Sequence, residues 1–171
     1  MLKETLNKQL IEYYYQIILK SALLNGEGKM SPRLTSKEEA VLVVIDVQEK
    51  LFVHMAEKEK LAENLVKLIR FAHIMKIPII VTEQYSKGLG PTIPQINHLI
   101  QDLQPVEKVE FSCFDSLIFK EALAKTNVKT LILAGIEAHI CVTQTAVEGI
   151  ENGFRIYVVE DAMSSRSPQD K

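Results

Sequence analysis

Residues 128–160 read VKTLILAGIEAHICVTQTAVEGIENGFRIYVVE. An apolar run (128–133) leads through a short turn (134–140) into an amphipathic stretch (142–152), and a second β-branched run follows at 155–160. Short unbroken apolar runs suit strands buried on both faces, and Gly153 stands where a helix would stop. Strand, helix and strand in that order form a right-handed unit whose two strands run parallel. Cys141 closes the turn, on the edge where parallel sheets bind ligands. The positive field of the helix N-terminus there is expected to favour thiolate over thiol.

The alternation continues upstream. Val41-Leu42-Val43-Val44-Ile45 reads as a first buried strand, and Leu61, Leu65, Leu68, Ile69 and Ala72 recur at helical spacing. Ile77-Pro78-Ile79-Ile80-Val81 is a second strand, with Pro78 tolerable only near its start. Residues 86–94, with Gly88, Gly90, Pro91 and Pro94, read as a loop, and 93–103 as a short helix. A third strand is expected at 106–109, a helix at 117–125, a fourth strand at 129–134, a helix at 141–152 and a fifth strand at 155–160. The fold class is therefore α/β, three layers α/β/α around a central parallel Rossmann-like sheet.

Residues 1–28 are expected to form an N-terminal helical extension, 29–39 a polar linker holding Pro32, and 40–171 the main domain. Residues 161–171 are polar, and no helix is expected after the fifth strand. One face of the sheet beside that strand is then expected to lie bare.

Composition narrows the function. The chain has 171 residues, 47% hydrophobic and 25% charged, with a net charge of -2, so no basic excess draws nucleic acid or anionic lipid. The apolar runs are too short to span a bilayer. Cys113 and Cys141 lack C-x-x-C spacing and read as reduced thiols of a cytoplasmic protein. His54, His73, His98 and His139 make no short metal-binding cluster, and no glycine fingerprint follows the first strand, so neither metal nor cofactor is expected.

Three reactive side chains fall at strand C-terminal ends: Asp46 after the first, Lys108 on the third and Cys141 after the fourth. Each alone reads equally as a cap, a solvated face or a core thiol. Together they form a unit in which the carboxylate takes the thiol proton and the ammonium holds the resulting anions.

These segments resemble the isochorismatase-like cysteine hydrolases. The resemblance rests on Val43-Val44-Ile45-Asp46-Val47-Gln48, on Lys108-Val109-Glu110-Phe111-Ser112-Cys113-Phe114, and on Ala134-Gly135-Ile136-Glu137-Ala138-His139-Ile140-Cys141-Val142 with Thr145-Ala146 behind. Thr82-Glu83-Gln84-Tyr85 and Gly88-Leu89-Gly90-Pro91-Thr92-Ile93-Pro94 bring it closest to the isochorismatase domain-containing subgroup. It implies that Asp46 is the general base, Lys108 the third triad member and Cys141 the nucleophile that forms a thioester. It further implies a cis peptide at Ile136–Glu137, and backbone N–H groups of Glu137 and Cys141 aimed at the developing oxyanion.

Glu83-Gln84-Tyr85-Ser86 stands where nicotinamidases carry an Asp-x-His metal motif, so metal and nicotinamide are not expected. Ala138 replaces a Thr or Ser of many relatives, and the resemblance implies a C-terminally truncated domain that lacks the family's last helix and strand.

The reading is a hydrolase of a small amide, carbamoyl or related C–N bond, paired in a homo-oligomer. Its pocket is expected, from rim position, to be walled by Gln48, Phe52, Tyr85, Phe111, His139 and Ile140. The competing reading is a degraded, truncated relative serving as an interaction or scaffold subunit.

Overall fold

A computed structural model of the chain describes residues 35–171. The expected N-terminal helix and linker residues 29–34 lie outside them. Five strands form one sheet: β1 (Ala40–Ile45), β2 (Ile79–Gln84), β3 (Val106–Lys108), β4 (Thr130–Ile136) and β5 (Arg155–Ser164). Their order is β3-β2-β1-β4-β5 and every pairing is parallel. Six α-helical segments accompany them among the described residues: α1 (Glu49–Phe52), α2 (Lys58–Met75), α3 (Ser86–Leu89), α4 (Pro94–Asn97), α5 (Leu117–Ala124) and α6 (Thr143–Glu151). None of the described helices is long and apolar enough to cross a membrane.

The period of two along β1 builds both halves of the core. Leu42 and Val44 face the layer of α2, where Leu61, Leu65, Leu68, Ile69 and Ala72 supply the apolar stripe. Val41, Val43 and Ile45 face the opposite layer with Phe114, Phe119, Leu123 and Val142. All six β1 residues are buried, which is why the segment reads as an unbroken apolar run. Ser116 caps α5 by accepting the N–H of Phe119, fixing where that helix starts.

Several element boundaries differ from expectation. β2 runs over 79–84 rather than 77–81. Its first residues cannot include Pro78 as a donor, although the Pro78 carbonyl already accepts the N–H of Leu42. Its last residues are polar yet pair with β3, Thr82 beside Val106 and Gln84 beside Lys108. The expected helix 93–103 shrinks to α4, and the expected loop 86–94 contains α3. The expected helix 141–152 divides into a π-helical turn, Ala138–Val142, and α6. β5 continues to Ser164 through an irregularity in register: Leu133 pairs with Val158, yet Gly135 pairs with Met163.

Nor is the sheet bare beside the fifth strand. α2 packs on β5 from one side and α6 from the other. Gly149 lets α6 come close, since a Cβ there would stand 2.7 Å from the Ile156 side chain. Val158, on the edge strand, keeps 40% exposure.

Candidate active site

The strand order reverses at β1: the chain goes to β2 and β3 on one side, then to β4 and β5 on the other. A crevice opens at the C-terminal ends of strands around such a point. Three strands end there with the same device. Asp46, Tyr85 and Glu137 directly follow β1, β2 and β4, and all three are left-handed, with φ of 56°, 40° and 53°. A non-glycine residue in that state costs roughly 1–2 kcal/mol, and such residues gather at functional sites.

Asp46 is 1% exposed. Its Oδ1 accepts the Thr82 hydroxyl at 2.6 Å and its Oδ2 accepts Lys108 Nζ at 2.6 Å. The Lys108 side chain is fully buried and also donates to Gln84 Oε1 (2.7 Å), the Glu110 carbonyl (3.0 Å) and the Phe111 carbonyl (3.3 Å). Its three N–H bonds are therefore committed to fixed acceptors. Cys141, 5% exposed, lies close enough to the Asp46 carboxylate to feel its charge, and in the field of Lys108. The three residues expected to cooperate thus meet, although 95 positions separate the first from the last.

Gly135 makes the meeting possible. It pairs with Ile45, the residue before Asp46, at φ 138°. A Cβ there would collide with the Ile45 carbonyl oxygen and come within 2.7 Å of its nitrogen. Only a hydrogen fits between the strand that delivers the carboxylate and the strand that delivers the thiol.

Two expectations at this turn are corrected. The Ile136–Glu137 peptide is trans, as is every peptide among the described residues. The chain turns instead through the left-handed Glu137. The thiol is also not poised as a thiolate. Burial pushes Cys141 up to about 12, and the negative charge of Asp46 adds to this, offset in part by Lys108. Cys141 sits in the π-helical turn before α6, where burial and the neighbouring carboxylate both favour the protonated thiol.

Three neighbours of the cluster were not expected at the site. Thr82 and Gln84 hold Asp46 and Lys108 respectively, from alternate positions on β2. Polar residues at the end of an otherwise apolar strand are their signal. Cys113, fully buried, is likewise pushed up to about 12 by burial, then by the charge of Asp46. Its N–H donates to Thr145 Oγ1 at 3.0 Å, one helical turn beyond Cys141.

The expected pocket walls separate into kinds. Gln48 is fully buried, and its amide clips the chain from Gln84 to Gly90: Nε2 donates to both carbonyls at 3.0 and 2.7 Å, and Oε1 accepts the Gln84 N–H at 2.7 Å. Phe52 and Ile140 are half-buried, packed on opposite core halves. Tyr85 and Phe111 are both 54% exposed beside Lys108, whose carbonyl accepts the Tyr85 N–H. His139 is exposed, with Nδ1 3.0 Å from Ser165 Oγ. A separate groove between α2 and β5, lined by Glu57, Lys60, Glu160 and Asp161, holds none of these residues.

Comparison with known proteins places the chain in a family. Residues 40–171 match the family described as Isochorismatase domain. Isochorismatase domain-containing protein 2 of Danio rerio is 36% identical over 139 residues, 81% of this chain and 69% of that protein. The 2A protein of Mus musculus is 34% identical, covering 78% of this chain and 64% of its own length, so the chain spans about two thirds of such relatives. Among solved structures, the MAR1 ribonuclease of Caenorhabditis elegans aligns with a TM-score of 0.74 and 37% identity, over 81% of this chain and 71% of that one. The YcaC gene product of Escherichia coli, an octameric hydrolase of unknown specificity, aligns with a TM-score of 0.75 and 27% identity, over 80% and 69%.

Proposed function

The chain belongs to the isochorismatase family, and we propose that it is a cysteine hydrolase cleaving a small amide, carbamoyl or related C–N bond. One observation carries the reading: the Cys141 thiol lies beside a buried carboxylate that a buried ammonium holds at 2.6 Å. As Cys141 Sγ attacks the substrate carbonyl carbon, its proton passes to Asp46. The tetrahedral oxyanion is met by the backbone N–H groups of Glu137 and Cys141. Its collapse breaks the C–N bond, Asp46 returns the proton to the departing nitrogen, and a thioester is left on Cys141. Water, deprotonated by Asp46, then hydrolyses the thioester and restores the thiol.

The electrostatics support this order. Loss of the thiol proton to solvent would leave the site with a buried, uncompensated negative charge. Transfer to Asp46 only moves one negative charge from oxygen to sulfur beside the same ammonium. A buried thiol that resists titration can therefore still react when its proton has a place to go. Lys108 acts as a fixed counter-charge, since its N–H bonds are already occupied.

The same point bears on the name of the Caenorhabditis elegans neighbour. A ribonuclease grips phosphate, and Lys108 has no N–H to offer one. The assembled cluster also favours an enzyme over the scaffold reading. Two free thiols support a cytoplasmic setting, and the octameric Escherichia coli neighbour supports a homo-oligomer.

The test is a screen of primary amides and carbamoyl compounds for ammonia release, with single-stranded RNA as a parallel substrate. Release is expected for at least one amide, and Cys141→Ala is expected to lower it by about 10³-fold or more with the fold retained. No release from any amide, or RNA cleavage that survives Cys141→Ala, would end the reading.

A further inference from the structure

The conformation of the Cys141 turn is decided at Glu137, the left-handed residue between β4 and the π-helical turn (φ 53°, ψ 57°). The proposed reaction uses only the backbone of Glu137. Its side chain is nevertheless anchored: the carboxylate, 9% exposed, accepts Arg166 Nε at 2.8 Å. Arg166 lies just beyond β5 and is 62% exposed, so it closes over the turn from the solvent side.

Its neighbours grip the same turn. The Ser165 hydroxyl gives its one proton to the Asp170 carbonyl at 3.0 Å. His139 Nδ1, 3.0 Å from that oxygen, must then be the donor. The segment itself is tied to the chain before α2, through Ala56 N–H to the Ser165 carbonyl (2.9 Å) and Ser164 Oγ to the Ala56 carbonyl (2.7 Å). Residues 164–166 are thus fixed at their base and hold the turn on both sides of Ala138. Glycine or asparagine at 137 would reach the left-handed state with less strain. A glutamate there gains an anchor that neither can supply.

We propose that Arg166 is a positioning residue for catalysis: its ion pair with Glu137 fixes the left-handed turn and thereby aims the Glu137 N–H and the Cys141 thiol. This rests on the cysteine-hydrolase reading. Because the arginine faces solvent, the clamp is screened by salt.

The test compares the full chain with Arg166→Met and Arg166→Lys. Turnover of an amide from the screen and the rate of iodoacetamide labelling at Cys141, read by mass spectrometry, are measured between about 0.05 and 0.5 M NaCl. Arg166→Met is expected to lower kcat about tenfold or more with KM within about twofold, since a small misplacement of reacting groups is enough. Its Cys141 labelling rate is expected to rise about threefold or more as the turn loosens. Arg166→Lys, which keeps the charge, should recover a large part of both. Salt should shift the labelling rate of the parent and leave that of Arg166→Met unchanged.

Equal labelling rates and equal salt responses in parent and Arg166→Met would overturn the clamp, as would a lysine variant no better than methionine. Should the parent hydrolyse no amide, the reading of function fails by itself. Labelling and its salt response then still decide whether the clamp exists.

Discussion

Cys141 and Asp46 show how a side chain's chemistry is set by what surrounds it. A thiol near a helix start invites the expectation of a thiolate, yet here it is nearly enclosed and faces a carboxylate. With the thiol pushed up to about 12, alkylation of Cys141 at neutral pH should be slower than that of a free thiol. Its rate should climb about tenfold per pH unit through the alkaline range. Iodoacetamide kinetics from neutral pH upward check this, and a plateau near neutrality would contradict it. The Asp46–Lys108 pair makes a second demand. Replacing Lys108 by methionine leaves a carboxylate buried without its counter-charge, and should destabilise the fold by about 3–5 kcal/mol. Adding Asp46→Asn should recover much of that loss, as denaturant titration of the single and double variants would register. Residue identity made both side chains candidates; their mutual burial determines what they do.

Strand ends carry the argument at the next scale. β1, β2 and β4 each leave the sheet through a left-handed residue, and β1 and β4 approach closely enough that position 135 has no room for a Cβ. Gly135→Ala would combine a strained φ with a backbone collision, so Ile45 must shift and Asp46 with it. Turnover is expected to fall at least about 100-fold, because a displacement near 1 Å between reacting groups has that effect. A stability loss of about 1–3 kcal/mol should accompany it. Amide hydrolysis read beside thermal unfolding separates the two, and full activity would show that the close approach is dispensable. The apolar runs announced β1, β4 and α2. They did not announce the last turn of β2, whose Thr82, Glu83 and Gln84 are polar. Those residues are in the sheet because β3 pairs with all three and β1 with Thr82, pairings without trace in local pattern. The π-helical turn was illegible for a similar reason, since it continues the helical period of α6 with a single wider turn.

For the molecule as a whole, two thiols locked in the protonated form have a thermodynamic consequence. Cys113 and Cys141 stay protonated in the fold up to about 12, whereas both ionise near 9.0 once exposed. The unfolded chain therefore releases protons first. The contribution is complete below about pH 9 and drains away as the pH rises towards about 12. Urea midpoints measured from pH 7 upward should fall across that window, and the fall should be shallower in Cys113→Ala; a flat profile would count against the buried, protonated state. The sequence by itself determined the layer order, the parallel sheet and the three residues at strand ends, because alternating apolar runs and helical stripes encode which surfaces must be hidden from water. Only the tertiary structure decided that Asp46 and Lys108 form a buried pair, that Cys141 keeps its proton, and that Thr82, Gln84, Gly135 and Arg166 hold the arrangement. Those properties come from distance and desolvation between segments far apart in the chain, which no local pattern records.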